Sequence, residues 1–482
     1  MGAPALALAV GGVLLVIGLL GHRFAIAPMS RLPGPWYTRL TSLVLIYHEF
    51  HGRKRTWIHD LHLRYGPVVR LGPHEASFAS AAGLKEIYVN SGGYDKTEVY
   101  SLFEQGGHRN LFTALRKDEH KEKKKRLADR YSNSSILNGP LPSVIKDRAD
   151  TFARVSSEAS SMDIYFLLHC YALDCVTAAC FHPHGTHSIE GPDADLVHAL
   201  SYHDSRRALV LRHYAPRLAD LYQWAMAPRL KGVDGETNRL SEYAWRWCTQ
   251  QNVIDKKVAP TTLAARLYDF SDDELTPADR VAECLDHIGA GIDTTGDTLC
   301  FLMYTLSLPE NAKRQKRLQD EVAAAETDAY LEAVIQEALR LWAPGTLPLP
   351  RYVPAGGRTI DGYHVPAGTT VSCQSYTMHR LSADVFPEPE SFIPERWLAV
   401  DIDRHAAERN RHMFAFGAGS RVCIGKHLAM AEMRALLKSV YGQYETSIAD
   451  DMHYSMKMSD QLMTSRPQDM CCKLSFTPIR KE

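Results

Sequence analysis

The sequence predicts a mainly helical protein with a small β portion, which follows a single N-terminal membrane-spanning helix. Three observations lead to this prediction. An apolar segment without charge fills residues 3–20. Helical patterning then dominates from about Trp57 to Arg266. Finally, the segment from Arg351 to Met378 consists of short runs interrupted by Gly and Pro, which is typical of β-hairpins.

The composition indicates a large globular protein. With 482 residues, 45% of them hydrophobic, the chain can bury one very large core or two ordinary ones. Its 55 basic and 56 acidic residues nearly cancel, which argues against a nucleic-acid partner. The ten cysteines include no CxxC pair, so neither a disulfide framework nor a zinc site is expected, and most are interpreted as core thiols.

The N-terminal segment predicts a membrane anchor. The run from Ala3 to Leu20 is about long enough to cross a bilayer, and Arg23, Arg31 and Arg39 follow it. By the positive-inside rule, the rest of the chain then lies in the cytosol. A cleaved signal peptide is the alternative. We therefore divide the chain into an anchor with its flank at residues 1–31, a Pro-rich hinge, LPGPW, at residues 32–36, and one domain at residues 37–482.

The order of elements after the hinge can be predicted in part. Pro67 to Gly72 is expected to form a strand, and the stretch from Tyr94 to Phe112 to be rich in loops. The best-defined helix has Thr276 as its N-cap and Pro277 in its first turn, and Pro309 ends it. Its middle contains the weak helix formers Gly289, Gly291, Asp293, Thr294 and Gly296, which indicates a functional site there.

The segment FAFGAGSRVCIG, residues 414–425, predicts a ligand site around one cysteine. A glycine-lined turn lets a flat group approach the backbone, Arg421 can pair with a carboxylate, and a thiolate at Cys423 can bind iron. The helix predicted after it places its positive end near that sulfur. We therefore predict that Cys423 ligates the iron of a haem. The segment from Ala290 to Thr294 is expected to face that iron, with room for dioxygen beside its small residues.

Four separated motifs, in this order, resemble those of the cytochrome P450 family. AGIDTT at residues 290–295 is similar to the oxygen-activation segment, EALR at 337–340 to ExxR, and PERW at 394–397 to the segment that completes the ExxR cluster. The last is the cysteine loop, similar to FxxGxRxCxG, with these residues in register: Phe416, Gly419, Arg421, Cys423 and Gly425.

The resemblance implies the family's triangular, mostly helical fold, with haem b between two long helices. Cys423 is the implied iron ligand, and the loop residues named above, together with Ala290, are implied to contact the haem. Arg421 and Arg351 are implied partners of its propionates. His120 and Lys124 stand where the family usually has Trp and Arg, a departure that affects the same propionates. A structural cluster is implied for Glu337, Arg340 and Arg396.

The resemblance also implies a function. The chain is expected to be a monooxygenase that uses O2 on an organic substrate, with Asp293 supplying protons and Thr294 holding the oxygen by a hydrogen bond. An external NADPH-cytochrome P450 reductase is implied, because no flavin or nicotinamide domain is recognisable. The anchor and hinge resemble membrane-bound enzymes of filamentous fungi that make secondary metabolites, in the endoplasmic reticulum membrane. Two alternatives are a haem-thiolate isomerase or dehydratase and a membrane-tethered haem carrier or gas sensor.

Two further predictions concern partners and substrate. The basic run RKDEHKEKKKR at residues 116–126 is either a solvated helix face or a docking patch for the reductase. Helical spacing places His287 two turns before Thr294, where it is either a polar substrate anchor or a structural histidine bonded to a neighbouring helix. Phe112, Thr346 and Leu347 are expected to line the substrate cavity.

Overall fold

A computed structural model of the chain describes residues 28–202, 206–230, 234–248, 258–398 and 404–479, and isolated glycines before residue 28. The predicted anchor at residues 3–20 lies outside the described residues apart from Gly11, Gly12 and Gly18. The described part is mainly helical with small sheets, as the sequence predicts.

The helices occupy most of the described chain. In the first half they are α1 (Leu43–Phe50), α2 (Lys54–Tyr65), α3 (Ala81–Leu84), α4 (Lys117–Leu127), α5 (Asn133–Leu137), α6 (Leu141–Ser156), α7 (Ile164–Phe181), α8 (Ala194–Ser201), α9 (Arg206–Tyr214), α10 (Pro216–Leu230) and α11 (Asp234–Trp247). In the second half they are α12 (Leu263–Leu267), α13 (Pro277–Leu306), α14 (Ala312–Ala324), α15 (Ala329–Trp342), α16 (Ser375–Met378), α17 (Arg404–His412) and α18 (Lys426–Tyr441). Short 3₁₀ turns include Glu98–Phe103, Pro394–Trp397 and Gly419–Arg421, and Lys85–Val89 forms a π turn.

The strands are short and lie mostly in the second half. They are β1 (Val68–Gly72), β2 (Glu75–Phe78), β3 (Asp95–Lys96), β4 (Met162–Asp163), β5 (Arg351–Tyr352), β6 (Arg358–Ile360), β7 (Tyr363–Val365), β8 (Thr370–Ser372), β9 (Tyr444–Ile448), β10 (Met458–Asp460), β11 (Ser465–Pro467) and β12 (Lys473–Pro478). The largest described sheet has the order β1-β2-β8-β5-β3, in which only β2 and β8 pair in parallel. A second sheet has the order β4-β12-β9, and β6-β7 and β10-β11 form hairpins.

Several predicted elements are confirmed. The strand predicted at Pro67 to Gly72 is β1. Helix α13 begins with a capping box, in which Thr276 and Asp279 bond each other's backbone N–H groups, and it ends three residues before Pro309. The stretch from Tyr94 to Phe112 is mostly irregular, although it contains β3 and a 3₁₀ turn.

The core forms around α13 and α7, which pack along each other. Two of the glycines of α13 serve this packing. A Cβ on Gly291 would lie 2.8 Å from Cγ2 of Val176, and one on Gly296 would lie 3.0 Å from the ring of His169. The sequence predicts that the small residues of the segment from Ala290 to Thr294 leave room for dioxygen, whereas at Gly291 the space is occupied by α7.

Helix α7 is long and apolar enough to cross a membrane, but 89% of it is buried inside the protein. Its composition is that of a central core helix, which needs apolar residues on every side.

Candidate active site

The cysteine loop, residues 414–425, is held by its own backbone and by a close contact with the π turn Lys85–Val89. The N–H of Cys423 donates to the carbonyl of Phe416 at 2.8 Å. Gly419 has a φ of +68°, and a Cβ there would lie 2.0 Å from the carbonyl oxygen of Tyr88. Glycine is therefore required at Gly419 both for the backbone conformation and for the approach of Tyr88.

Among the ten cysteines, all of which the structure describes, only Cys423 is exposed. The sulfur lies just before α18, and a Cβ on Gly425 would be 3.9 Å from it. Desolvation of the sulfur inside the fold raises the pKa of the Cys423 thiol. The N–H groups of Gly425 and Lys426 and the ammonium of Lys124 act in the opposite direction. These groups would stabilise a thiolate that binds a metal ion.

Helix α13 presents small residues to an open space. Gly289 and Ala290 are exposed although the helix crosses the core, and a Cβ on Gly289 would have no described atom within 4 Å. Thr294, one turn further on, is half-buried and donates its hydroxyl to the carbonyl of Ala290 at 2.6 Å. Because α13 packs against α18, the exposed sulfur and these exposed residues indicate one internal space bounded by the two helices.

Four buried basic side chains form a cluster at the edge of this space: Lys96, His120, Arg351 and Arg421. Lys96 and Arg351 are directly opposite each other on the paired strands β3 and β5, an arrangement that is unfavourable for like charges. Burial and the neighbouring cations lower the pKa of Lys96 well below its ordinary value and that of His120 to about 3. An anion bound at this cluster would offset the repulsion among its cations.

The hydrogen bonds of Arg421 and Arg351 leave room for that anion. Arg421 donates to the carbonyls of Ala114 and Leu115, but its buried Nε has no hydrogen-bond partner among the described residues. Arg351 donates to the hydroxyl of Tyr100 at 2.6 Å. Haem b is a flat group with two carboxylates at one edge. It fits an arrangement of the exposed Cys423 thiol, the exposed small residues of α13 and the basic cluster.

The sequence analysis missed Lys96 and placed Lys124 differently. The ammonium of Lys124 donates to the carbonyl of Ser420 at 2.8 Å, so it holds the cysteine loop from α4. Its charge also acts on His120 of the basic cluster, and its pairing with a propionate stays a prediction. Nothing in the sequence around Lys96 distinguishes it from a surface lysine, because its partner strand lies about 250 residues away.

Of the two alternatives for His287, a substrate anchor or a structural histidine, the contacts of its ring favour the second. His287 is buried, its Nδ1 lies 2.5 Å from the hydroxyl of Tyr131, and its Nε2 lies 3.4 Å from Glu283. Both ring nitrogens are therefore already engaged, which agrees with the structural alternative. Helical spacing alone could not show that Tyr131 contacts His287.

The other predicted substrate residues have different surroundings. Phe112 is half-buried and packs edge-on against Tyr100 and Phe103. Thr346 is buried and its hydroxyl bonds to that of Ser465, while Leu347 is 2% exposed. Thr346 and Leu347 thus present almost no surface to an open cavity, contrary to the prediction, because the hairpin β10-β11 covers Thr346.

Asp293 lies where α13 meets α8. Its side chain is 36% exposed, and its Oδ1 accepts a hydrogen bond from Ser201 at 2.5 Å. The same oxygen is 3.7 Å from Nε2 of His169, which also lies 3.5 Å from Oδ1 of Asp297. The sequence analysis named neither His169 nor Asp297, although Asp297 follows Asp293 by one helical turn.

Glu432, on α18, is a second carboxylic acid that sequence reasoning missed. Burial raises its pKa to about 8, and a hydrogen bond with the hydroxyl of Thr295 opposes that change. The side chain therefore joins α18, which follows Cys423, to α13 next to Thr294.

The predicted structural cluster is confirmed in its geometry. Arg340 makes two hydrogen bonds to Glu337, at 2.8 and 2.9 Å, and Arg396 lies 3.1 Å from the same carboxylate. Trp397 adds a fourth contact at 2.9 Å from its indole N–H. Sequence reasoning missed the contribution of Trp397, which the quoted PERW motif contains.

A buried histidine connects this cluster to the cysteine loop. Nδ1 of His379 lies 2.9 Å from the carbonyl of Arg340, and its Nε2 accepts the N–H of Phe414 at 2.8 Å. Burial lowers the pKa of His379 to about 3, so the ring is neutral and can accept this bond. The cluster thereby holds the first residue of the loop that ends in Cys423.

Comparison with known proteins gives a consistent result. A family model described as Cytochrome P450 matches residues 32–472. The chain is 32% identical over 449 residues to the cytochrome P450 monooxygenase orf2 of Aspergillus niger, covering 89% of each chain. It is 29% identical over 476 residues to the cytochrome P450 monooxygenase stcB of Emericella nidulans, covering 93% of this chain and 89% of that protein. The cytochrome P450 monooxygenase aflV of Aspergillus parasiticus is 29% identical over 454 residues, covering 89% and 87%.

Proposed function

The chain belongs to the cytochrome P450 family, and from that premise we propose that it inserts one atom of O2 into an organic substrate of fungal secondary metabolism. The observation that carries the proposal is the exposed Cys423 just before α18, together with the exposed Ala290 and half-buried Thr294 on α13, which packs against α18, and a buried basic cluster. The balanced reaction converts substrate, O2, NADPH and one proton into hydroxylated substrate, water and NADP⁺.

The residues present fit a haem b. Cys423 would ligate its iron as a thiolate, and Arg351, Arg421, His120 and Lys96 would pair with its propionates. When bound, such a haem supplies the activation of dioxygen that permits attack on a C–H bond. The basic cluster then loses its mutual repulsion, so haem binding should also stabilise the fold.

Two side chains of α13 would supply protons to the active site and position the oxygen there. Thr294 is half-buried beside the exposed Ala290, and its hydroxyl, which donates to the carbonyl of Ala290, would be available to a bound oxygen molecule. Asp293 lies beside it, with part of its carboxyl group exposed and part bonded to Ser201. We assign proton supply to Asp293 and oxygen positioning to Thr294.

Electrons would come from an NADPH-cytochrome P450 reductase. Helix α4 carries the basic run, and Lys124 attaches this helix to the carbonyls of the cysteine loop. A partner docked on α4 would therefore be near the sulfur side of the haem. The exposed Lys121 and Lys125 support a docking surface for an acidic flavin domain.

The chain would be held in the endoplasmic reticulum membrane by the segment at residues 3–20, with its domain in the cytosol. An apolar surface next to the hinge supports this proposal. Trp36, Leu43 and Tyr47 are exposed on one part of it, and Leu218, Leu221 and Trp224 are exposed on α10. The two parts are joined through α9, where Tyr214 bonds to Glu49 of α1 at 2.8 Å. Such a patch suits the membrane interface.

The membrane proposal can be tested by flotation with phospholipid vesicles. The full chain should float, and a chain lacking residues 1–27 should retain weaker binding that Leu221→Ser and Trp224→Ser together abolish. Leu63→Ser, at an exposed leucine of α2, is the matched control. Equal flotation of all the shortened variants would argue against this surface.

The monooxygenase proposal is tested with microsomes that contain the chain and a reductase. Substrates are first found by their low-to-high spin shifts, and product is then expected only with NADPH and O2, carrying one atom of labelled oxygen gas. A product formed without both would instead indicate an isomerase or dehydratase. Cys423→Ala should abolish the thiolate spectrum of the carbon monoxide complex, whereas Cys471→Ala, at a half-buried cysteine, should not.

A further inference from the structure

His169 is buried in the middle of α7 with its ring against α13. Its Nδ1 lies 2.7 Å from the carbonyl oxygen of Tyr165, which can only accept a hydrogen bond. Nδ1 therefore carries a proton in either charge state of the ring. The other nitrogen, Nε2, is directed at two carboxylates of α13, 3.5 Å from Asp297 and 3.7 Å from Asp293.

This arrangement requires a shared proton. If the imidazole were neutral and both carboxylates were ionised, three acceptors would face one another with no hydrogen between them. Burial would by itself lower the pKa of His169, but the carboxylates of Asp297 and Asp293 raise it above its ordinary value. Burial raises the pKa of Asp297 to about 6. The facing acceptor atoms, together with the raised pKa values of His169 and Asp297, assign at least one proton to the trio of His169, Asp293 and Asp297, and this proton belongs to the group as a whole.

The surroundings allow this proton to move. Nε2 of His169, Oδ1 of Asp297 and the hydroxyl of Tyr165 are buried and make no hydrogen bond to the described residues. Buried polar atoms of this kind are normally satisfied by ordered water. The charged group that faces the trio from the hairpin β10-β11 is Arg466, which acts on Asp297 and donates to the carbonyl of Ser201 at 2.6 Å.

Asp293 differs from its two partners in its exposure. His169 is fully buried and Asp297 nearly so, whereas the Asp293 side chain is 36% exposed beside Thr294. A proton that reaches Asp293 from the interior can therefore leave towards the open space. The trio connects a buried store to the residue that the proposed function uses as its proton donor.

We propose that His169 and Asp297 store the proton that Asp293 delivers to the active site, and that they act as positioning residues through Asp293. The inference rests on the proposed monooxygenase function. During each cycle, Asp293 gives a proton to the oxygen site and takes one from Nε2 of His169 or from Asp297. Solvent then returns a proton to the trio through the water that its unpaired atoms bind. No electron moves in these steps.

The first test uses His169→Gln and Asp297→Asn in the reductase-coupled enzyme. We expect unchanged haem content and substrate spin shift, with product per NADPH reduced about tenfold and hydrogen peroxide increased correspondingly, because positioned proton transfer contributes 10²- to 10⁴-fold. Asp297→Glu should restore much of the coupling. The control is His198→Gln, at an exposed histidine that stacks on Phe166 of α7. Wild-type coupling in both His169→Gln and Asp297→Asn would overturn the proposal.

The second test does not depend on turnover. It is nitrogen NMR of histidine-labelled enzyme, as its ferrous carbon monoxide complex. In the wild type, Nε2 of His169 should be protonated at neutral pH. In Asp297→Asn, Nε2 should lose its proton at a lower pH than in the wild type. Throughout the pH range of activity, an unprotonated Nε2 combined with an ionised Asp297, seen by carbon NMR of aspartate-labelled enzyme, would overturn the proposal even if the variants failed to fold. If the wild type yields no NADPH-dependent product, the proposed function fails, while the NMR result still tests the proton store.

Discussion

Gly419 determines how closely the cysteine loop approaches the rest of the protein. Its φ of +68° is in the left-handed region, and the carbonyl of Tyr88 occupies the place of a side chain. The neighbouring backbone cannot retreat easily, because the hydroxyl of Tyr88 donates to the carbonyl of Leu349 at 2.7 Å and accepts the N–H of Cys373. The absence of a Cβ at Gly419 thus allows the cysteine loop to pack closely against Tyr88.

We predict that Gly419→Ala lowers the free energy of unfolding by at least about 1–2 kcal/mol, the cost of a left-handed alanine, and that displacement of Tyr88 adds to this. Haem content per purified chain should fall with it. Gly345→Ala is the matched control, because Gly345 has no positive φ and a Cβ there meets no described atom within 4 Å. Denaturant unfolding and haem absorbance measure both effects. Full haem content and unchanged stability in Gly419→Ala would contradict the close contact with Tyr88.

Thr294 and Thr298 make the same bond to the backbone of α13 but differ in exposure. Thr294 donates to the carbonyl of Ala290 at 2.6 Å and faces the open space, whereas Thr298 donates to the carbonyl of Thr294 at 2.9 Å and is fully buried. Only the first hydroxyl can turn towards a ligand. Comparing variants of Thr294 and Thr298 therefore distinguishes an effect on oxygen positioning from an effect on helix geometry.

Thr294→Ala should retain haem but reduce product per NADPH about tenfold, with electrons diverted to hydrogen peroxide. Thr298→Ala should leave coupling unchanged, because its hydroxyl does not reach the cavity. Product, NADPH and peroxide are measured in the same reaction. Equal coupling in Thr294→Ala and wild type would remove the assignment of Thr294, and equal losses in both variants would assign the effect to the helix.

At the scale of single residues, the sequence identified those whose role follows from local chemistry. Cys423, Gly419 and Thr294 lie in short motifs whose spacing limits what they can do. His169 and Lys96 were not predicted, since their significance comes from partners more than a hundred residues away. For His287, spacing left a substrate anchor and a structural histidine as alternatives, and the contact with the distant Tyr131 favours the second.

At the scale of elements, α15 shows how one helix supports the site. Its buried face carries Glu337 and Arg340, both with fully buried side chains. Arg340 also donates to the carbonyls of Pro389 and Ser391, and the carbonyl of Arg340 binds His379, which in turn accepts the N–H of Phe414. Loss of Glu337 would therefore leave buried arginines uncompensated and disturb the start of the cysteine loop.

Glu337→Gln should lower the free energy of unfolding by about 3–5 kcal/mol, the usual cost of breaking a buried ion pair. Glu332→Gln is a matched control on the same helix. Its ion pair with Arg434 is about one-third exposed, so a loss of about 0–1 kcal/mol is expected. Urea unfolding and haem retention measure the difference. Similar stability in the two variants would show that the buried cluster is not essential to the fold.

Elements were predictable where local signals were strong. The capping box and the following Pro309 defined α13 almost to the residue, and β1 followed from its run of branched residues. The sequence could not show that α13 lies against α7 closely enough to require Gly291 and Gly296. Helix contacts of this kind depend on a partner far away in the chain, so periodicity within one helix does not reveal them.

At the scale of the whole molecule, residues from distant parts of the chain form one site. Strand β3, helix α4, strand β5 and the cysteine loop each contribute one side chain to the basic cluster. The order of motifs predicted the family and the iron ligand, but not this assembly. The same assembly places the outer face of α4 next to the cysteine loop, where a reductase can reach it.

The structure separates the lysines of α4 into two groups. Lys123 donates to the carbonyl of Arg109 at 2.8 Å and Lys124 to that of Ser420, so both hold the fold together. Lys121 and Lys125 are exposed. Reversing the charge of Lys123 would combine a structural effect with an effect on docking. The test therefore changes only Lys121 and Lys125.

We predict that Lys121→Glu with Lys125→Glu slows reduction by the reductase about tenfold at low ionic strength, because electrostatic steering raises association rates by at least that factor. The difference should shrink as salt is added, since screening removes steering in the wild type. Stopped-flow measurement of the carbon monoxide complex gives the rate, and Lys313→Glu, at an exposed lysine of α14, controls for net charge. If Lys313→Glu slows reduction as much as Lys121→Glu or Lys125→Glu alone, the net charge of the molecule sets the rate, and not a patch on α4. Reduction at the wild-type rate in low salt would leave α4 as a solvated helix face.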